Sequence, residues 1–172
     1  MITYKTGNLL AANTQALVNT VNTVGIMGKG IALQFKETFP ENYRAYSAAC
    51  KKGEVQIGKM FVTATNRMDG IKYIINFPTK KHWRHPSKLE YIRSGLIDLR
   101  KIIVEKNIQS VAMPPLGCGN GGLNWADVKQ LIDYYLVDLP ITLIVFEPSD
   151  EVNAILAAEN EKREAKLHQR VL

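Results

Sequence analysis

One lysine in this chain stands where chemistry is plausible, and a cationic, ring-rich run follows it. Lys80 comes just past the apolar stretch Tyr73–Phe77, and Lys81, His82, Trp83, Arg84, His85 and Lys88 follow with no acidic residue among them. A lysine amine serves as nucleophile or base only when a usable fraction is neutral. Like charges nearby lower an amine pKa, so Lys81, His82 and Arg84 would favour the neutral form of Lys80. A solvated cationic loop has the same composition, and charge runs commonly are such loops. Positive charge interleaved with flat side chains is also what single-stranded nucleic acid binds, with phosphates on the charges and bases on the rings. Trp83 reads equally as a stacking surface or as a buried structural ring. His82 and His85 read as loop or phosphate contacts rather than metal ligands.

Two glycine clusters form the second chemical feature. One runs from Asn19 to Gly30 as NTVNTVGIMGKG, and the other from Pro114 to Leu123 as PPLGCGNGGL. Gly117, Gly119, Gly121 and Gly122 permit positive φ and close backbone approach. Successive N–H groups in such loops converge on an anion, helped by a following helix N-terminus. Neither loop has the spacing of a P-loop or of a dinucleotide fingerprint. A single loop of this kind would be a tight strand-to-helix turn. Two of them, each after an apolar strand, favour a cleft for a diphosphate. Cys118 lies in the second loop, where small size alone explains it.

The elements that must position these residues alternate in type. Strands are expected at Met1–Lys5, Ala16–Val21, Lys59–Thr65, Ile71–Phe77, Ser110–Met113 and Ile141–Phe146. A turn, Arg67-Met68-Asp69-Gly70, separates the third and fourth. Ser87-Lys88-Leu89-Glu90 has the form of a capping box. After it Leu89, Ile92, Leu96, Leu99 and Ile103 recur at helical spacing. Asn124 is placed to cap another helix, with Asp127 in its first turn and Val128, Leu131, Ile132 and Tyr135 as its apolar stripe. Trp125, on that helix, reads as a core residue. Pro40 opens a helix to about Lys52, stopped by Gly53, and Gly30–Glu37 is a further short helix. The alternation implies α/β layers around a largely parallel sheet, with ligands at the carboxyl ends of its strands.

Composition bounds the partners. The chain has 172 residues, enough for one domain with a real core. Its two cysteines and three histidines argue against a disulfide scaffold and a structural zinc site, so no metal is expected. No apolar run approaches the roughly 20 residues of a bilayer span. The start lacks the layout of a secretory signal, and the chain reads as cytoplasmic with no membrane partner. The net charge is +6. With the five acids and four bases from Asp150 onward set aside, 18 basic and 11 acidic residues remain in 1–149. That excess suits a polyanionic partner. Ala154–Leu172, rich in Ala, Glu, Lys and Leu, reads as a terminal helix or a fraying tail.

Five segments carry a resemblance. Thr6–Leu10 (TGNLL), Ala16–Asn22 (ALVNTVN), Gly28–Ala32 (GKGIA) and Pro114–Leu123 resemble a macrodomain, in that family's order, from Ile2 to about Pro148. Asn76–Arg84 (NFPTKKHWR), with Pro86-Ser87, is similar to the DarG type. That type is the DNA ADP-ribosyl glycohydrolase antitoxin, related to terminal ADP-ribose protein glycohydrolases. The resemblance implies a three-layer α/β/α sandwich with a mixed, largely parallel central sheet. The macrodomain would occupy residues 1–150, with 151–172 as helix or tail.

The resemblance further implies an ADP-ribose cleft. Asn8 and Leu9 would lie near the adenine, with Phe146 beside it. Gly28, Lys29, Gly30 and Ile31 would run along the phosphates and distal ribose. Gly117, Cys118, Gly119, Asn120, Gly121, Gly122 and Leu123 would embrace the diphosphate from the other side. Lys80 would be catalytic, with Asn22 holding the distal ribose near the scissile bond. No cofactor is implied. The implied substrate is ADP-ribose on a thymine base of single-stranded DNA, met by Lys81, His82, Trp83 and Arg84. A cognate DNA ADP-ribosyltransferase toxin is the implied partner.

Two departures qualify this. Most macrodomains carry Asp where this chain has Asn8, which accepts a hydrogen bond but brings no charge. The related protein glycohydrolases also pair their lysine with an aspartate in the second glycine loop. Here that loop reads Gly119-Asn120-Gly121, as in DarG-type sequences, which disfavours a carboxylate base. Removal of ADP-ribose from DNA is therefore the leading reading. An ADP-ribose reader without turnover and a glycohydrolase acting on protein are the alternatives.

Overall fold

The computed structural model describes residues 1–68, 70–149, 161–162 and 164–170. Ten principal elements follow one another in it. They are β1 (Ile2–Lys5), β2 (Ala16–Asn22), α1 (Gly30–Thr38), α2 (Pro40–Lys51), β3 (Phe61–Ala64), β4 (Tyr73–Lys80), α3 (Leu89–Glu105), β5 (Ser110–Met113), α4 (Trp125–Leu136) and β6 (Thr142–Phe146). The strands form one sheet in the order β1-β6-β5-β2-β4-β3. β3 runs antiparallel to β4, and the other neighbours are parallel. The expected mixed, largely parallel sheet is therefore present.

Period-two alternation decides which side chains face which layer. Ala16, Val18, Ile75, Phe77, Val111, Met113, Leu143 and Val145 pack on one face with Ile92, Leu96, Leu99 and Ile103 of α3 and Val128, Ile132 and Leu136 of α4. Leu17, Ile74, Ala112 and Ile144 face the other side, against Phe35 of α1 and Phe39. The expected stripes of α3 and α4 are thus the buried ones. Each fully buried leucine or isoleucine contributes about 1.5–3 kcal/mol. α3 sits close on the sheet at Gly95, where a Cβ would lie 2.3 Å from the Phe77 ring. Helices on both faces complete the three-layer sandwich.

Two boundaries differ from expectation in a way that matters for the site. The fourth strand continues through Pro78 to Lys80 instead of ending at Phe77. Proline lacks the ladder N–H and normally ends a central strand. Here Val21 pairs with Pro78 and Asn22 with Lys80, so Thr79 is the extra residue of a β-bulge. The other difference is at α3. Lys88 is its N-cap residue with no side-chain cap bond, so Ser87 does not form the expected capping box. Asn124 does cap α4, accepting from the Asp127 N–H.

Of the expected tail, residues 161–162 and 164–170 are helical and exposed. Residues 150–160, 163, 171 and 172, and Asp69 of the expected turn, lie outside the described residues. Among the described residues no helix is long and apolar enough to cross a membrane.

Candidate functional site

The parallel strands deliver their carboxyl ends to one pole of the sheet, and the loops after β1, β2, β4 and β5 share it. β2 contributes Asn22 and the first glycine loop. Asn22 is buried, and its Oδ1 accepts from the N–H groups of Val24 (3.1 Å), Gly25 (3.1 Å) and Ile26 (3.3 Å). Its Nδ2 donates to the Ile26 carbonyl at 2.8 Å. The Tyr46 hydroxyl, from α2, shares its proton between the Asn22 carbonyl (2.6 Å) and Oδ1 (3.0 Å). One amide side chain therefore shapes the loop. Met27 anchors it further, buried against Val21, Tyr46 and Val55.

β4 contributes Lys80, whose Nζ donates to the Trp83 carbonyl at 3.5 Å. Burial pushes the Lys80 ammonium pKa down, and Lys29, at the N-cap of α1, lowers it further. The direction matches the sequence-based expectation, but the cause does not. Lys81, His82 and Arg84 follow Lys80 in the chain, yet the perturbing charge comes from the first glycine loop. Thr23 of that loop donates to the Lys81 carbonyl at 2.7 Å, joining the two segments.

β5 contributes the second glycine loop. Gly117, Gly119 and Gly122 have φ of 70°, 69° and 77°, and Gly119–Gly121 forms a single 3-10 turn. Gly117 is required for space as well as φ: a Cβ there would meet Leu123 Cδ1 at 2.6 Å and Ser87 Oγ at 3.0 Å. At Gly119 and Gly122 a Cβ would meet nothing within 4 Å, so the loop's outer side is open. Its leading N–H groups precede the first intrahelical bond, which suits an anion. The loops converge: a Cβ on Gly30 would come within 4.0 Å of Asn120 Nδ2, and one on Gly121 within 3.9 Å of Lys80 Cε. Gly30 thus approaches Asn120, and Lys80 approaches Gly121, so both loops and the end of β4 close on one place.

Ser87 locks this arrangement, a role the capping-box pattern concealed. Its buried Oγ donates to the Thr79 carbonyl at 2.6 Å, and its N–H donates to the Gly121 carbonyl at 3.0 Å. It ties the bulged end of β4 to the second loop. Sequence reasoning also missed a buried amide cluster beneath the first loop. Asn76 Nδ2 donates to Asn42 Oδ1 at 2.8 Å and Asn42 Nδ2 donates back to Asn76 Oδ1 at 3.1 Å. Asn19 Nδ2 adds bonds to Asn76 Oδ1 (3.4 Å) and Met27 Sδ (3.8 Å). Asparagines inside otherwise apolar strands were the available signal.

The residues expected at the adenine end also gather. Leu9 and Phe146 are buried in one cluster with Ile31 packed against it, so their rings and methyls are largely core. Gly7 passes beside the Phe146 ring, where a Cβ would lie 3.7 Å from Cε1. Asn8 is exposed, but its Oδ1 accepts from the Leu10 N–H at 3.0 Å, leaving the amide NH₂ as its outward group. Burial pushes the Cys118 thiol up to about 11, so it stays protonated near neutrality. Trp125 is partly buried, donating from Nε1 to Glu147 at 3.1 Å, as a structural residue would.

Trp83 is 42% exposed, which decides between its two readings against a buried ring. It stacks on His82 at 5.3 Å and lies under the Arg84 guanidinium at 4.5 Å. Among the described residues no three His, Cys, Asp or Glu side chains are grouped to hold a metal. A cavity of about 330 Å³ lies between Phe39–Arg44 and Thr63–Arg67. Ala64 pairs with Tyr73 at the start of β4, so that cavity is at the opposite pole from Lys80.

Residues 18–132 match the Macro domain family model. This chain belongs to the macrodomain family. The DNA ADP-ribosyl glycohydrolase of Mycobacterium tuberculosis is 61% identical over 160 residues, covering 92% of this chain and 46% of that protein. The chain thus spans about half the length of the curated relatives it matches. The solved macrodomain of Mycobacterium tuberculosis DarG superposes with TM-score 0.85 at 63% identity, covering 87% of this chain and 99% of that one. The Thermosipho africanus DarTG structure, in complex with ADP-ribose, superposes with TM-score 0.81 at 35% identity, covering 86% and 41%. The macrodomain layers and their order are those the five segments implied.

Proposed function

We propose that this macrodomain removes ADP-ribose from thymine bases of single-stranded DNA and so reverses a DNA ADP-ribosyltransferase toxin. The observation that carries the reading is the placement of Lys80. Its partly desolvated amine stands between both glycine loops and next to an exposed loop of cations and rings. The relatives named above, a DNA ADP-ribosyl glycohydrolase and a DarTG structure in complex with ADP-ribose, support ADP-ribosylated DNA as the substrate class.

The loops Gly28–Ile31 and Gly117–Leu123 hold the diphosphate, and Asn8, Leu9 and Phe146 form the adenine end. Asn22 positions the distal ribose, using the amide hydrogen that Ile26 does not take. Lys80 acts at the anomeric carbon C1″, either by adding to it or by taking a proton from water, and both routes need the neutral amine. Hydrolysis breaks the bond between C1″ and the base, bonds water's oxygen to C1″ and returns a proton to the base. Lys81, His82, Trp83 and Arg84 hold the strand. Residues 1–150 carry this activity, in the cytoplasm.

The test offers the protein an oligonucleotide ADP-ribosylated on thymine and an ADP-ribosylated protein, and measures released ADP-ribose. Release from DNA, lost by orders of magnitude in Lys80→Ala with ADP-ribose affinity retained, is expected. Release from protein alone, or full activity of Lys80→Ala on DNA, overturns the reading.

A further inference from the structure

A cavity of about 320 Å³ lies beside the Lys80 loop, lined by Lys81, His85, Pro86, Lys88 and Tyr91. The Lys81 and Lys88 ammonium groups each stand 5.8 Å from the centre of the same Tyr91 ring. No carboxylate lines the cavity, so its walls carry two lysines and no countercharge. Lys88 is moreover the N-cap residue of α3, where a cation opposes the helix dipole. Ser87, which has the chemistry to cap, is committed to Thr79. An anion in the cavity would supply that countercharge and offset the cation at the helix N-terminus.

A path of rings leads there from the reacting end. Arg84 lies over Trp83, Trp83 stacks on His82, and His82 meets His85 at 5.2 Å between ring centres. His85 is itself part of the cavity wall. A strand whose modified base sits at Lys80 would lay its neighbouring bases on these rings and bring a phosphate to Lys81 and Lys88.

We propose that this cavity seats a backbone phosphate of the DNA strand flanking the modified nucleotide. The inference rests on the reading that DNA is the substrate. It assigns Lys88 and Tyr91 a function in holding the strand and gives Lys81 a defined phosphate contact.

The experiment compares kcat/KM on an ADP-ribosylated thymidine nucleoside, which has no flanking phosphate, with that on an oligonucleotide carrying the same modification. The parent should prefer the oligonucleotide, and Lys88→Gln should reduce that preference about tenfold. An unchanged preference overturns the proposal. Binding of an unmodified single strand is measured in parallel against salt. Each lost phosphate contact lowers the log–log slope by roughly 0.7, so Lys88→Gln should show that drop and an unchanged slope counts against the cavity. If the parent releases ADP-ribose from neither DNA substrate, the function reading fails, while the slope still decides the cavity. Free ADP-ribose separates the two sources of phosphate. If Lys88→Gln weakens its binding as much as that of the strand, the cavity serves the diphosphate and the proposal falls.

Discussion

Asn22 and Lys80 are register partners on adjacent parallel strands, brought level by a bulge that leaves Thr79 unpaired. Had the register run on unbroken from Val21 and Pro78, Asn22 would pair with Thr79 and Lys80 would fall one position beyond it. The bulge therefore sets which side chain of β4 faces the glycine loops. Pro78, with no N–H to donate, stands directly before the interruption. The same short segment connects strand geometry to the reacting amine.

The amine's protonation gives the first prediction. Lys29 lowers the Lys80 pKa, second to burial. Activity needs the neutral amine, so the rate should rise with pH through a pKa below that of an ordinary lysine. Lys29→Gln removes a like charge, which favours the protonated form and raises the Lys80 pKa. The rising limb of the pH–rate profile at saturating substrate should move to higher pH, with slower turnover near neutrality. A profile that stays in place would show that Lys29 does not act on Lys80.

Asn22 supports the second. Its Oδ1 serves three backbone N–H groups and the Tyr46 hydroxyl. Asn22→Ala leaves these groups without that acceptor in a largely buried place. A destabilisation of about 2–3 kcal/mol is expected, given 1–3 kcal/mol for a group left unsatisfied. For a domain of this size that is roughly 4–12 °C in Tm. Thermal melting checks it, and turnover should fall with the loop. A melting temperature within a degree or two of the parent would mean that the loop holds its shape without this fan of bonds.

The parts of this molecule that were legible in its sequence are those dictated by local pattern. The short, β-branched run Ala16–Val21, buried on both faces, and the 3.6-residue stripe of Ile92, Leu96, Leu99 and Ile103 report burial directly. The glycine loops announce themselves because Gly117 needs both positive φ and space. What stayed hidden depends on distant residues. Ser87 fits a capping box with Glu90, yet the Thr79 carbonyl captures its hydroxyl. Lys29 and Lys80 are far apart in the chain, so nothing local indicates their repulsion. Pro78 reads as the end of a strand unless the bulge after it is known.

Ser87 yields the third prediction. Ser87→Ala deletes the bond to Thr79 but keeps the backbone bond to Gly121. The stability cost should be about 1 kcal/mol, since a net hydrogen bond contributes about that much. The functional cost should be larger, because the Thr79 carbonyl adjoins Lys80. Turnover is expected to fall about tenfold, equivalent to roughly 1.4 kcal/mol in the barrier, with ADP-ribose affinity little changed. That split between kcat and binding marks Ser87 as a positioning residue. Equal losses in affinity and turnover would instead mean that the second glycine loop itself has collapsed.

Trp83 gives the last prediction, and salt decides it. Its ring is 42% exposed and carries His82 on one contact and Arg84 on another. If bases stack on it, Trp83→Ala should weaken single-strand binding by about 1–3 kcal/mol per base lost. That is roughly tenfold or more in Kd. Stacking releases no counterions, so the slope of log affinity against log salt should stay near the parent value, whereas Arg84→Gln should lower it by roughly 0.7. Stability should change little, because an exposed ring contributes little to the core. Fluorescence anisotropy with an unmodified oligonucleotide over a salt series measures both terms. A Trp83→Ala protein that binds the strand as tightly as the parent, or that unfolds at markedly lower temperature, would return Trp83 to a structural role.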